Sequence, residues 1–129
     1  MYSNAVIEHV ATPSRFIAEA YRLLRPGGLF YADTVNLDSY TWRFLGPRWK
    51  LFDPRMHVSL FTPNSLRAAC SEAGFEVQKI TTHGVRFHAN RSERPLGLRR
   101  VLDELRKTPY SAATRVSAKG DNMAIYAIK

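Results

Sequence analysis

One pattern limits what this chain can fold into more than any other. Thr12-Pro13 opens a stretch in which Phe16, Ile17, Ala20, Tyr21, Leu23 and Leu24 fall on one helical face. Pro26-Gly27-Gly28 stops it, and the β-rich run Leu29 to Val35 follows at once. A helix delivered straight into a mostly apolar strand is a building block of layered α/β sheets. Thr12 is expected to cap the first turn. Pro13 suits the first helical position, where its missing N–H would have no partner anyway. The few polar positions of the strand predict burial on both faces.

A second unit of the same kind follows. Thr62-Pro63 repeats the cap-plus-proline start, and Leu66, Ala69, Cys70 and Ala73 form the apolar stripe of a core-facing helix. Gly74 suits the left-handed position that ends it. Phe75 to Thr81 reads as a strand. Beyond a basic linker, Leu98, Val101, Leu102 and Leu105 make a further stripe, and Gly120-Asp121 turns the chain into a last apolar strand, Met123 to Ile128. With a strand remnant at the front, helices and strands alternate throughout.

Composition narrows the classes. Hydrophobic residues make up 45% of the 129, enough for a core. No apolar run approaches the ~20 residues that span a bilayer, and no basic stretch leads into an apolar one at the start, so a cytoplasmic protein without a secretion signal is expected. Cys70 is the single cysteine, which excludes an intrachain disulfide and is read as a small buried hydrophobe. The net charge of +8 is concentrated between Arg86 and Arg115 and is read as a solvated basic surface. No basic motif interleaved with base-stacking aromatics is present, so nucleic acid is not the expected partner. No Ser-His-Asp order or Cys-His pair suggests a hydrolase.

Residues 36–62 form a long aromatic segment holding Trp42, Phe44, Trp49 and Phe52, with a short helix near Asp38 to Leu45. Long segments of this kind serve as lids or plug a sheet edge. The chain is read as a single partial domain, with 36–62 lid-like and 82–119 a basic insertion carrying a helix before the last strand.

The order and spacing of several short motifs resemble class I S-adenosylmethionine-dependent methyltransferases. In that family the fourth strand runs into a segment like Val6-Ile7-Glu8-His9-Val10. The next helix ends like Leu24-Arg25-Pro26-Gly27-Gly28, and the fifth strand follows. Farther on come a histidine, here His57, a Phe61-Thr62-Pro63 helix with Leu66, and Ala73-Gly74-Phe75. The resemblance implies the C-terminal half of a Rossmann-like, three-layer α/β methyltransferase fold with a mixed sheet and an antiparallel last strand. The family's strand order, three-two-one-four-five-seven-six, implies that this chain supplies five, seven and six with a few residues of four. Strand five is then expected to have a bare edge.

The resemblance also implies a site at the strand ends. Asn4, Glu8 and His9 would meet the methionine end of S-adenosylmethionine, and Asp33, Asn36, Tyr40, Trp42, Trp49 and His57 a small-molecule acceptor. Glu8, His9 and His57 are the candidate catalytic set, since histidine titrates near neutral pH and accepts a proton as the methyl arrives. Some relatives place a metal on Glu-x-x-Glu-His plus a distant histidine. Here Ala5 stands at the first glutamate position, so no metal is expected, with Glu8, His9 and His57 as a remnant set. A polar pair that orders the strand-to-helix turn is the alternative for Glu8-His9. His83 and His88 are placed on the surface.

The glycine-rich loop that cradles the cofactor is missing from the sequence. Gly27-Gly28 follows a helix and cannot replace it. The expectation is an enzyme part that is incompetent alone and forms a homodimer or pairs with an N-terminal half. The alternatives are a non-catalytic truncated module that self-associates or binds a partner, and a basic nucleic-acid-binding domain, whose affinity would fall steeply with salt.

Overall fold

The computed structural model describes residues 1–85, 109–110, 113–114 and 117–129. The expected insertion helix carrying Leu98, Val101, Leu102 and Leu105, and with it His88, lies outside the described residues.

Strand β1 (Tyr2–Asn4) leads through a 3-10 turn (Ile7–His9) to helix α1 (Pro13–Leu23) and strand β2 (Leu29–Val35). Helix α2 (Tyr40–Leu45) and a second 3-10 turn (Gly46–Arg48) precede helix α3 (Pro63–Glu72). Strands β3 (Glu76–His83) and β4 (Asn122–Ile128) follow. The sheet order is β1-β2-β4-β3, with β1 parallel to β2 and β4 antiparallel to both of its neighbours. This is the four-five-seven-six order of the Rossmann-like methyltransferase sheet, with its antiparallel last strand.

The core lies between one sheet face and helices α1 and α3. Phe30 and Ala32 of β2 and Met123, Ile125 and Ala127 of β4 meet Ile17 and Ala20 of α1 and Leu66 and Cys70 of α3, all buried. Burying a large aliphatic or aromatic side chain completely stabilises the fold by about 1.5–3 kcal/mol. Phe75 stacks on Phe30 and takes the edge of Tyr21, each at 5.0 Å between ring centroids. Gly74 is required twice over. Its φ is +100°, and a Cβ there would stand 2.9 Å from the Tyr21 ring.

Several expectations need correction. Thr62 caps α3 in a reciprocal box with Ser65, but Thr12 makes no side-chain capping bond, and α1 begins with its carbonyl alone accepting from Phe16. Leu23 points away from the core and is 63% exposed, because a helix packed on one face leaves its flank in water. Strand β2 is not buried on both faces. Phe30, Ala32 and Thr34 are covered, while Leu29 is exposed and Tyr31 and Asp33 are half-buried. Tyr31 belongs to an aromatic row on that second face, stacked on Tyr2 at 4.9 Å and edge-on to Tyr126 at 5.1 Å, with Lys79 over the Tyr126 ring. The edge of β2 is not bare either, since β1 pairs with Tyr31, Ala32 and Asp33. The strand β3 runs to His83 rather than ending at Thr81.

Candidate active site

Parallel pairing puts the C-terminal ends of β1 and β2 side by side, with Asn4 opposite Asp33. Ligands of open α/β sheets collect at such ends. The chain leaves β1 through Ala5 in the left-handed region, φ 50°, anchored by its N–H to the Asp33 carbonyl at 3.0 Å. That sharp exit swings the 3-10 turn across the end of β2 and points Glu8 inward. Glu8 and Thr34 are each 2% exposed, and the Thr34 hydroxyl donates to the Glu8 carboxyl at 2.8 Å. A buried carboxyl group needs such a partner, because desolvation without one costs several kcal/mol.

Next to Glu8 the structure brings two histidines together. His9 is exposed on the turn and His57 is half-buried on the aromatic segment, with ring centroids 4.9 Å apart and planes tilted by 50°. One ligand atom from each of Glu8, His9 and His57 falls within 4.8 Å of the others. The Nδ1 of His9 meets the Met56 carbonyl and that of His57 the Leu51 carbonyl, both at 2.6 Å. A carbonyl only accepts, so each Nδ1 is the donor, and in the neutral ring Nε2 is then the nitrogen that presents a lone pair. Such nitrogens accept a proton from a substrate hydroxyl or ligate a metal. Ser59 completes the arrangement, its N–H donating to the Glu8 carbonyl at 3.0 Å and its hydroxyl to the Val10 carbonyl at 3.1 Å.

The other residues singled out from the sequence stand differently. Asn4 is exposed at the end of β1. Asp33 is half-buried beside it. Burial pushes its carboxyl above the ordinary aspartate range, nearby His83 opposes the shift and Glu8 adds to it. Asn36 is fully buried, and its carboxamide is taken up internally. It donates to the carbonyls of Ala118 and Gly120 at 3.1 and 2.8 Å and accepts from the Asp38 N–H at 2.9 Å. Tyr40 packs on Tyr110 and donates to Ser117. Trp42 lies against Phe52 at 4.8 Å, and Trp49 is buried at 2% exposure. These aromatics therefore consolidate the segment that carries His57. Sequence reasoning missed Ser59, which nothing but its small polar side chain between Val58 and Leu60 could have marked.

The methyltransferase-domain family matches residues 1–80, more than half of the chain, and the chain belongs to that family. It is 36% identical over 89 residues to the ubiquinone biosynthesis O-methyltransferase of Methylobacterium sp. (strain 4-46), covering 64% of this chain and 35% of that protein. It is 32% identical over 71 residues to the malonyl-(acyl-carrier protein) O-methyltransferase of Serratia marcescens, covering 54% of this chain and 27% of that one. Among solved structures, an S-adenosylmethionine-dependent methyltransferase from Thermotoga maritima superposes with a TM-score of 0.61 at 21% identity, over 99% of this chain and 54% of its own. The chain thus spans about a third of the length of the curated relatives it matches.

Proposed function

We propose that this chain forms the acceptor side of an S-adenosylmethionine-dependent O-methyltransferase acting on a hydroxylated small molecule. The observation that carries the reading is the pair of imidazoles, 4.9 Å apart between ring centroids, beside the buried Glu8 at the strand ends. Relatives at about a third identity are O-methyltransferases by name, which favours oxygen as the acceptor atom. When bound, S-adenosylmethionine supplies the methyl group to the acceptor oxygen. His9 Nε2 takes the proton that this oxygen gives up, His57 orients the hydroxyl, and Glu8 lends its carboxyl to the imidazolium that forms. The aromatic segment 36–62 acts as the lid that excludes water.

The residues present fit part of the cofactor. Asn4 offers an exposed carboxamide at the end of β1, suited to the amino-acid end, and Asp33 adds a carboxyl beside it. No glycine-rich turn between a strand and a helix occurs in the sequence to hold the adenosine. The chain alone therefore binds cofactor weakly in this reading. The second face of the sheet, with Tyr2 at 72% exposure, receives a second copy or a methyltransferase N-terminal half. A cytoplasmic location accompanies the reading, and no helix among the described residues is long and apolar enough to cross a membrane.

The convergence of Glu8, His9 and His57 favours a second reading, in which a divalent ion on these three residues would lower the pKa of the acceptor hydroxyl. One carboxyl and two imidazole nitrogens are a donor set that suits borderline ions.

The test is transfer of labelled methyl from S-adenosylmethionine to a dihydroxybenzoate acceptor. It is run with the chain alone and with the N-terminal half of a related ubiquinone biosynthesis O-methyltransferase added. Transfer in either mixture that falls at least a hundredfold in His9→Ala supports the proposal. Absence of transfer in both mixtures, or transfer insensitive to His9→Ala and His57→Ala, contradicts it. A chelator separates the second reading, since it abolishes transfer only if a metal is needed.

A further inference from the structure

The two imidazoles come from distant parts of the chain, one on the turn after β1 and one on the aromatic segment. Three hydrogen bonds join those parts near the pair. The His9 Nδ1–H donates to the Met56 carbonyl, and the other two come from Ser59. Its N–H reaches the carbonyl of Glu8 and its hydroxyl the carbonyl of Val10, the residues immediately before and after His9. One residue thus clamps the backbone on both sides of His9, through its N–H on one side and its hydroxyl on the other. The same clamp seats the segment in which His57 lies two residues upstream.

We infer that Ser59 is a positioning residue for the imidazole pair: it holds His57 over His9 and keeps the Met56 carbonyl within reach of the His9 ring. Any residue but proline supplies the N–H bond, whereas the bond to Val10 is made by the hydroxyl. Without it the Val10 carbonyl loses its partner and the strap is held at Glu8 alone. The segment then shifts away from the turn, the Met56 carbonyl leaves His9, and the His9 proton is no longer confined to Nδ1. His57 behaves differently. Its Nδ1–H donates to Leu51 within its own segment, so its tautomer survives the shift. The inference deepens the reading of the site given above, but the geometry it concerns exists with or without methyl transfer.

Ser59→Ala and Ser59→Thr, made in the full chain and studied by NMR with labelled histidine, test this. In the unsubstituted protein both rings are expected as the Nδ1–H tautomer, with an Overhauser contact between them. Ser59→Ala is expected to lose that contact and to move His9 toward the Nε2–H tautomer, leaving His57 unchanged. Ser59→Thr, which keeps the hydroxyl, is expected to restore both signals. Retention of the contact and of the His9 tautomer in Ser59→Ala overturns the inference. So does failure of Ser59→Thr to restore them while the amide spectrum elsewhere matches the unsubstituted protein. Neither readout requires turnover, so a failure here leaves the methyl-transfer assay to decide the proposed function.

Discussion

Thr34 on β2 and Glu8 on the turn after β1 share a 2.8 Å hydrogen bond, and both side chains are sealed from water. This bond ties the turn that presents His9 to the strand beneath it. Thr34→Val keeps the shape and removes the donor, leaving the Glu8 carboxyl buried without that partner. The expected loss is about 1–3 kcal/mol in urea unfolding, and Thr34→Ser, which retains the hydroxyl, is expected to lose less.

Asn36 distinguishes architecture from ligand contact. Its carboxamide joins the end of β2 to the turn that enters β4 and to the start of the aromatic segment. Asn36→Ala leaves the buried Gly120 carbonyl and the half-buried Ala118 carbonyl short of a donor, and a loss of about 2–3 kcal/mol is expected. The chemical shifts of Asn4 and the His9 ring are expected to change little in this variant. A large change there with intact stability would make Asn36 part of the ligand surface.

Asp33 gives the fold a pH dependence of definite sign. Its folded-state pKa lies above the ordinary aspartate value of 3.8, chiefly through burial. At pH values below that, Asp33 holds its proton in both states and the group contributes no difference. As pH rises through the window up to the raised folded value, the unfolded chain ionises first and binds fewer protons, so stability falls. Above the window the loss persists undiminished. Urea midpoints measured across this range are expected to carry a downward component with rising pH that Asp33→Asn removes.

Cys70 should behave as part of the core. It is fully buried, and burial pushes its thiol up to about 12. Alkylation by iodoacetamide at pH 8 is expected only on unfolding, with the modification rate following the urea transition by mass spectrometry. Rapid labelling of the native chain would show that α3 does not seat as described.

Much of the sheet was legible from punctuation. Thr62-Pro63 and Gly74 bracket α3, Pro26-Gly27-Gly28 ends the segment before β2, and the motif order carried the strand order, because caps and stops act through neighbours in sequence. Glu8, His9 and His57 were legible as chemical types at family positions. What stayed hidden depends on partners that every residue offers alike. The carbonyls of Leu51 and Met56 set the two histidine tautomers, and a main-chain carbonyl leaves no mark in an amino-acid sequence. The inward turn of Asn36 arises in the same way, from acceptors in the 118–121 turn far along the chain. The half-exposed face of β2 was misread because Tyr31 and Asp33 are compatible with either burial state.

The most direct test of the account is an NMR titration of the chain with S-adenosylmethionine, carried to millimolar concentration so that a partial site still registers. The account expects shifts confined to Asn4 through His9, Asp33 and residues 56–59, with the His9 and His57 rings among those that move. No shift at millimolar cofactor, or shifts centred away from the ends of β1 and β2, would contradict it.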